Sequence, residues 1–259
     1  MKDVNLQKRI VSDISIMEVF DSENREQKPI IFIFHGASGR TEADLDKAML
    51  LANEGYYVVL IDAYGYGESI DSVYHDEYNP NDPMEIFRIY TETSTYINKL
   101  VHYYSDDFRV NTSRIGLLGF SMGAHIIYYY LANQRIKNIK VAIPIIGSPN
   151  WNPIVGRFIR SIDRFEKLNN DKEIKKYEEQ VSKINPYNQL INLKSIYLLI
   201  INGTVDPKID INDIRQFYSD LKPNFDNVEY LQLIEYKEVG HKVTEDMMNS
   251  ALSWFKLHL

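Results

Sequence analysis

One segment narrows the fold more than any other. Arg114-Ile-Gly-Leu-Leu-Gly-Phe-Ser-Met-Gly-Ala124 begins with an apolar run, Ile115 to Leu118, and reaches Gly119. Ser121 stands midway between Gly119 and Gly123, and a second apolar segment, Ala124 to Ala132, follows at once. The pattern predicts a buried strand, a sharp turn and a buried helix, with a serine at the tip of the turn. Small residues two before and two after the serine let strand and helix approach closely. The hydroxyl is expected at the carboxyl edge of a sheet, beside the N–H of Met122 at a helix N-terminus. Of the chain's 12 glycines, only this pair is four apart with a serine between them. The strand before and the helix after are the context that gives such a short pattern meaning.

Around this element, strand-length apolar runs alternate with helical patterns. Ile10 to Phe20 alternates weakly and predicts an edge strand or hairpin arm. Ile30 to Phe34 is continuously apolar, as suits a strand covered on both faces, and runs into the small-residue loop His35-Gly-Ala-Ser-Gly39. Thr41 to Asn53 has helical periodicity, with Thr41 as N-cap and Gly55 as terminator. Tyr57 to Ile61 is the next buried strand. It ends at Asp62, ahead of Ala63-Tyr-Gly-Tyr-Gly-Glu-Ser69. From Asp82-Pro83 onward, Phe87, Tyr90, Ser94, Ile97, Val101, Tyr104 and Phe108 step by three and four, which predicts a long helix with a core-facing stripe. Further strands are expected at 139–146, 195–201 and 228–236, and helices at 122–134, 210–221 and 244–259. Six buried strands alternating with helices predict an α/β fold with a mainly parallel, doubly wound sheet.

Residues 148–193 break this rhythm. Charge rises, as in Lys172-Glu-Ile-Lys-Lys-Tyr-Glu-Glu179, and amphipathic helical stretches fall near 155–168 and 171–184. Between two buried strands, the segment reads as a helical lid over the carboxyl edge, the alternative being a solvated excursion without a role. Nothing marks a second independent domain, so residues 1–259 are expected to form one. A 44% apolar share suffices for its core. With no cysteine, disulfides, thiolate catalysis and cysteine-ligated metals are excluded. A net charge of -7 without a basic run argues against nucleic acid or an anionic membrane as partner. No apolar run approaches the roughly 18–20 residues of a membrane span. The first residues lack an apolar signal core, so a cytoplasmic location is expected.

Ligand chemistry in such sheets gathers at the carboxyl ends of strands. A serine hydroxyl is a poor nucleophile until a base takes its proton. Of the six histidines, His102 lies within the long helix, His125 on the helix after Ser121, His258 at the terminus and His75 in a polar loop. His35 ends a strand but leads into the glycine loop. His241, behind Gly240 in a short loop after the last strand, is placed to swing over the sheet edge and is the expected base. The base needs an acid to fix its tautomer. Asp206 follows the preceding strand and is the candidate, with Asp210 and Asp213 in reserve. Asp62 comes before the nucleophile and reads as a loop-organising carboxylate. An oxyanion needs two donors. Met122 N–H is one, and the other is expected from the His35-Gly36-Ala37 loop, Ala37 first, with Gly36 and Ser38 as alternatives.

A strand-borne Gly-Phe-Ser-Met-Gly, a His-Gly loop upstream, then Asp206 and His241 in that order resemble the α/β-hydrolase fold superfamily. Arg114-Ile-Gly-Leu-Leu-Gly-Phe-Ser-Met-Gly, Gly147-Ser-Pro-Asn and Gly240-His-Lys-Val narrow the likeness. They resemble small bacterial esterases related to dienelactone hydrolase and to the catalytic domain of prolyl oligopeptidases. The resemblance covers about residue 28 to the end. It implies an eight-stranded sheet with one antiparallel strand near its start, and a triad of Ser121, Asp206 and His241. Dienelactone hydrolases carry cysteine where this chain has Ser121, so their substrate does not carry over. Prolyl oligopeptidases have a propeller that this chain lacks. Many relatives have a second glycine where Ala124 stands.

The leading expectation is therefore a serine hydrolase, a carboxylesterase acting on small carboxylic esters through an acyl-enzyme on Ser121. Tyr64 and Trp151, with Tyr66, sit on strand-end loops and are expected either to line an acyl pocket or to serve as packing. No metal or organic cofactor is required, and the expected partner is a small-molecule ester. The sequence leaves a homodimer open. An acyl-peptide or amide hydrolase, or a thioesterase, would use the same groups. A non-catalytic binding protein of the same fold is the remaining alternative, against which the retention of all three residues argues.

Overall fold

The computed structural model describes residues 3–22, 26–37, 39–68, 82–133, 136–161, 171–190, 193 and 195–259, without the side chains of 157–161 and 171–173. Ser38 and His75 lie outside these residues, as do residues 162–170 and 69–81.

The chain opens with β1 (Val4–Val11) and β2 (Ile14–Asp21). Then come β3 (Lys28–Phe34), a 3₁₀ turn (Thr41–Asp44), α1 (Leu45–Asn53) and β4 (Tyr57–Ile61). Next are α2 (Glu85–Tyr104), β5 (Val110–Phe120), α3 (Met122–Asn133) and β6 (Ile139–Ile145). The excursion carries α4 (Asn152–Ser161), α5 (Asp171–Ile184) and α6 (Tyr187–Leu190). The chain closes with β7 (Tyr197–Gly203), α7 (Ile211–Leu221), β8 (Leu231–Tyr236) and α8 (Glu245–His258).

These strands form one eight-stranded sheet in the order β1-β2-β4-β3-β5-β6-β7-β8. Only β2 runs against the rest, antiparallel to both β1 and β4. Continuous apolarity in the central strands reflects cover on both faces. Within β3, Ile31 and Ile33 join Leu51 of α1 and Phe255 of α8 in one core. Ile30, Phe32 and Phe34 join Ile97 of α2, Ile126 of α3 and Phe217 of α7 in the other. The two-residue side-chain period of a strand is what divides the molecule into these layers.

Several expectations are corrected. Residues 10–20 are not one strand: Ser12 and Asp13, with φ of 49° and 66°, make a two-residue hairpin turn between β1 and β2. Thr41 opens the 3₁₀ turn rather than capping a helix, and its N–H donates to Asp62 Oδ1 at 2.8 Å. Phe108 lies beyond α2 and is exposed, while Leu100 takes a buried place on the helix. Residues 228–230 form a 3₁₀ turn, and β8 is a half-buried edge strand rather than a sixth fully buried one. An edge strand needs only one covered face, which a run of mixed apolar residues does not reveal. The amphipathic helix expected near 155–168 begins at Asn152. Trp151, Val155, Val181 and Leu190 root the excursion in the core shared by α2, α3 and α7.

Candidate active site

The turn at Ser121 is built from close backbone contacts. Ser121 takes φ of 50°, a left-handed conformation that costs a non-glycine residue about 1 kcal/mol or more. Its N–H donates to the Ile145 carbonyl at 2.9 Å, and Gly123 N–H donates to the His35 carbonyl at 3.1 Å. A Cβ on Gly119 would overlap the Gly123 carbonyl, and one on Gly123 would overlap the Phe34 carbonyl. Both glycines are therefore required by backbone packing. Across from them, a Cβ on Gly147 would overlap the Ala124 methyl. Gly147 thus makes the room in which the Ala124 methyl stands.

Non-glycine residues at positive φ cluster here. Besides the hairpin turn, the described ones are Ser121, Ile146 and Glu238, at the ends of β5 and β6 and just after β8. All three lie where strands give way to loops at one edge of the sheet.

That edge brings three distant side chains into line. Ser121 O–H donates to His241 Nε2 at 2.8 Å. His241 Nδ1–H donates to Asp206 Oδ2 at 2.7 Å. Asp206 Oδ1 accepts from the N–H groups of Lys208 at 2.8 Å and Ile209 at 3.1 Å. The Asp206 carboxylate is fully buried, whereas the imidazole keeps some exposure. Burial pushes the Asp206 carboxyl up, but the His241 bond and the two backbone N–H groups outweigh it and hold it below the usual carboxylate range. The carboxylate therefore stays ionised and keeps the hydrogen on Nδ1, leaving the Nε2 lone pair for the serine.

The loops carrying Asp206 and His241 are joined to one another. Thr204 N–H donates to the Tyr236 carbonyl at 3.0 Å, Val205 N–H to the Val239 carbonyl at 3.2 Å, and Glu238 N–H to Thr204 Oγ1 at 2.9 Å. Thr204 was not among the expected site residues. Its position, two residues ahead of a candidate acid at a strand end, was the available signal.

The loop after β3 flanks the serine. A Cβ on Gly36 would sit 3.8 Å from Ser121 Cβ, in ordinary contact. His35 is buried; its Nδ1–H donates to the Gly36 carbonyl at 2.7 Å and its Nε2 accepts from Ala63 N–H at 3.0 Å. Burial holds its pKa below the ordinary imidazole value, against the pull of the Gly36 carbonyl. His35 is thus a neutral clamp between two loops and not a base. Asp62 is buried, accepts from Ser15 Oγ at 2.7 Å as well as from Thr41, and fills the space a Cβ on Gly67 would need. Met122 opens α3, so its N–H has no acceptor within the helix.

Of the two expected lining residues, Tyr64 is half-buried, and its hydroxyl accepts from Arg88 Nη2 at 2.7 Å. Trp151 offers no surface to a ligand. It is fully buried, stacked on Tyr129 at 5.6 Å and packed against Phe87 and Tyr90. A large aromatic at the root of an excursion is worth more as an anchor than as a wall.

An eight-stranded sheet with one reversed strand, and a serine on a strained strand–helix turn facing histidine and aspartate, define an α/β-hydrolase. The dienelactone hydrolase family matches residues 17–252, and the chain belongs to that family of hydrolases. It is 26% identical over 265 residues, covering 99% of this chain and 100% of the other, to the Bacillus subtilis protein named "Putative esterase YitV". Solved structures share the fold at lower identity. An acetyl xylan esterase from Paenibacillus sp. R4 superposes with a TM-score of 0.74 at 17% identity, over 99% of this chain and 88% of that one. The acylaminoacyl peptidase of Pyrococcus horikoshii does so with a TM-score of 0.69 at 17% identity, over 99% of this chain and 41% of that one. No helix among the described residues is long and apolar enough to cross a membrane.

Proposed function

We propose that the protein is a serine carboxylesterase that cleaves small carboxylic esters through an acyl-enzyme on Ser121. The observation that carries this reading is the unbroken hydrogen-bonded line from Ser121 Oγ through His241 to Asp206. Family membership and the name of the B. subtilis relative support it.

In this reading His241 Nε2 takes the Ser121 proton as Oγ attacks the ester carbonyl. Asp206 holds the imidazole in the required tautomer and stabilises the imidazolium that forms. The N–H groups of Met122 and Ala37 hold the oxyanion: one opens a helix, and the other follows the glycine that lies against the serine. The imidazolium then returns its proton to the departing alcohol, and a water activated by the same base releases the acid. The 148–193 segment, rooted beside α3, serves as the cap over this edge.

The test is labelling with a fluorophosphonate, which should modify Ser121, together with turnover of p-nitrophenyl butyrate. Ser121→Ala should lower turnover by at least about 10³-fold. Turnover within a few-fold of wild type would exclude this nucleophile. Acyl-CoA thioesters and aminoacyl amides, run beside the esters, would show whether the same groups prefer another leaving group.

A further inference from the structure

Glu238 is an exposed residue with φ of 58°, in the left-handed region where glycine is the usual occupant. It sits in the turn that follows β8, closed by Val239 N–H donating to the Tyr236 carbonyl at 3.3 Å. The dipeptide Thr204-Val205 clasps this turn at three points. Thr204 N–H donates to the Tyr236 carbonyl at 3.0 Å and Val205 N–H to the Val239 carbonyl at 3.2 Å, which fixes the two ends. Thr204 Oγ1 accepts from Glu238 N–H at 2.9 Å, which fixes the middle. The first two bonds use backbone N–H groups that any residue except proline would supply. The third needs a side-chain oxygen at position 204.

The path from this turn to the imidazole is short. The Val239 carbonyl is held by Val205 N–H and lies against Gly203. The Gly240 carbonyl accepts from Lys242 N–H at 2.9 Å, an i to i+2 bond that closes a γ-turn with His241 at its centre. A rotation at Glu238 therefore has only Val239 and Gly240 in which to be absorbed before it reaches His241. The ring, in turn, has to meet two short bonds at once, 2.8 Å to Ser121 Oγ and 2.7 Å to Asp206 Oδ2.

We propose that Thr204 is a positioning residue for the triad: by accepting the Glu238 N–H, its hydroxyl holds Glu238 in the left-handed conformation and keeps the His241 ring aligned between Ser121 and Asp206. The proposal rests on the serine-esterase reading. The bond offsets the strain of a non-glycine residue at positive φ. Without it, Glu238 relaxes toward negative φ with its N–H turned to water, and the chain leaves the turn in another direction. A glycine at position 238 carries no such strain and would keep the turn without the hydroxyl. Proton transfer through His241 belongs to the transition state, so the loss falls on kcat rather than on KM.

The experiment is a double-mutant cycle in Thr204 and Glu238, read as kcat and KM for p-nitrophenyl butyrate. Thr204→Val keeps the shape of the side chain and removes the acceptor. With Glu238 present it should lower kcat about fivefold or more and leave KM within about twofold. Thr204→Ser keeps the hydroxyl and should stay within about twofold of wild type in kcat. In the Glu238→Gly background the same Thr204→Val change should lower kcat by less than about twofold. Equal losses in the two backgrounds, no loss with Glu238 present, a loss confined to KM, or an equal loss in Thr204→Ser overturns the proposal. Should Thr204→Val not fold, Thr204→Ala takes its place in the cycle. A second readout needs no turnover. The downfield proton resonance of His241 Nδ1–H should weaken in Thr204→Val and persist both in Thr204→Ser and in the double variant. A resonance unchanged in Thr204→Val overturns the proposal. A wild type that neither turns over an ester nor takes fluorophosphonate on Ser121 would instead remove the esterase reading. The resonance alone would then decide whether Thr204 sets the geometry of His241 and Asp206.

Discussion

Gly203, the last residue of β7, lies so close to Val239 that a Cβ on the glycine would overlap the Val239 carbonyl oxygen. Gly203 stands three residues before Asp206 and Val239 two before His241. Their contact therefore fixes how near the acid loop comes to the base loop. Gly203→Ala should leave the fold standing, because the overlap is at a sheet edge and a loop can yield. The cost falls on alignment, and a shift of about 1 Å in a reacting group can lower kcat about 10²-fold. Steady-state turnover of p-nitrophenyl butyrate, with a circular dichroism melt as control, checks this.

Gly123→Ala should act on stability instead. Its Cβ would overlap the Phe34 carbonyl inside the packed junction of β3 and α3, where neither backbone has room to move. A loss of more than about 2 kcal/mol is expected. Gly55→Ala is the contrast: φ is 99°, yet nothing lies within 4 Å of the added carbon, so backbone strain of about 1 kcal/mol is all it should show. Urea denaturation of both variants separates overlap from strain.

Asp206→Asn keeps the shape of the acid but removes its charge. The amide can donate to Nδ1 and so favour the wrong imidazole tautomer. Acylation should slow by about 10³–10⁴-fold while Lys208 and Ile209 N–H keep an acceptor and the fold persists. The rate of fluorophosphonate labelling reads this step directly.

Acid should destabilise the fold through two neutral histidines. His35 and His125 both have folded pKa values below the ordinary imidazole value, His125 at about 4. Between that value and about 6.5 the unfolded chain binds protons that the folded chain refuses, so stability is full above pH 6.5 and falls as pH drops. For His125 alone the loss by pH 4 is at most roughly 3 kcal/mol. The lowered Asp206 carboxyl adds its share only below about pH 4. Urea midpoints measured from pH 7 to 4.5 should decline, and less steeply in His125→Phe.

Much of this was legible in the chain. The alternation of apolar runs and helical stripes gives the central strands and their order of connection. The Gly-X-Ser-X-Gly turn announces its own geometry because only glycines fit its contacts. The closing helix was legible too: it was expected at 244–259 and runs Glu245–His258. The failures share a cause. Residues 10–20 alternate straight through a turn that needs two left-handed residues, and Ser12-Asp13 is a weak signal for one. Trp151 has the composition of a pocket wall and the location of an anchor, and only packing distinguishes them.

What the sequence determined by itself is local: a strand covered on both faces reads as continuously apolar, and a backbone crossing at contact distance demands glycine. What only the tertiary structure decided is distance between residues far apart in the chain. Ser121 and His241 are 120 residues apart, and nothing in either neighbourhood encodes the 2.8 Å between Oγ and Nε2. That separation follows from the twist and stacking of the whole sheet and from loops held edge to edge at Gly203 and Val239. The same holds for His125, whose tautomer is set by the Ser148 carbonyl from another strand's loop. A hydrogen bond has a direction in space, and a sequence records only order.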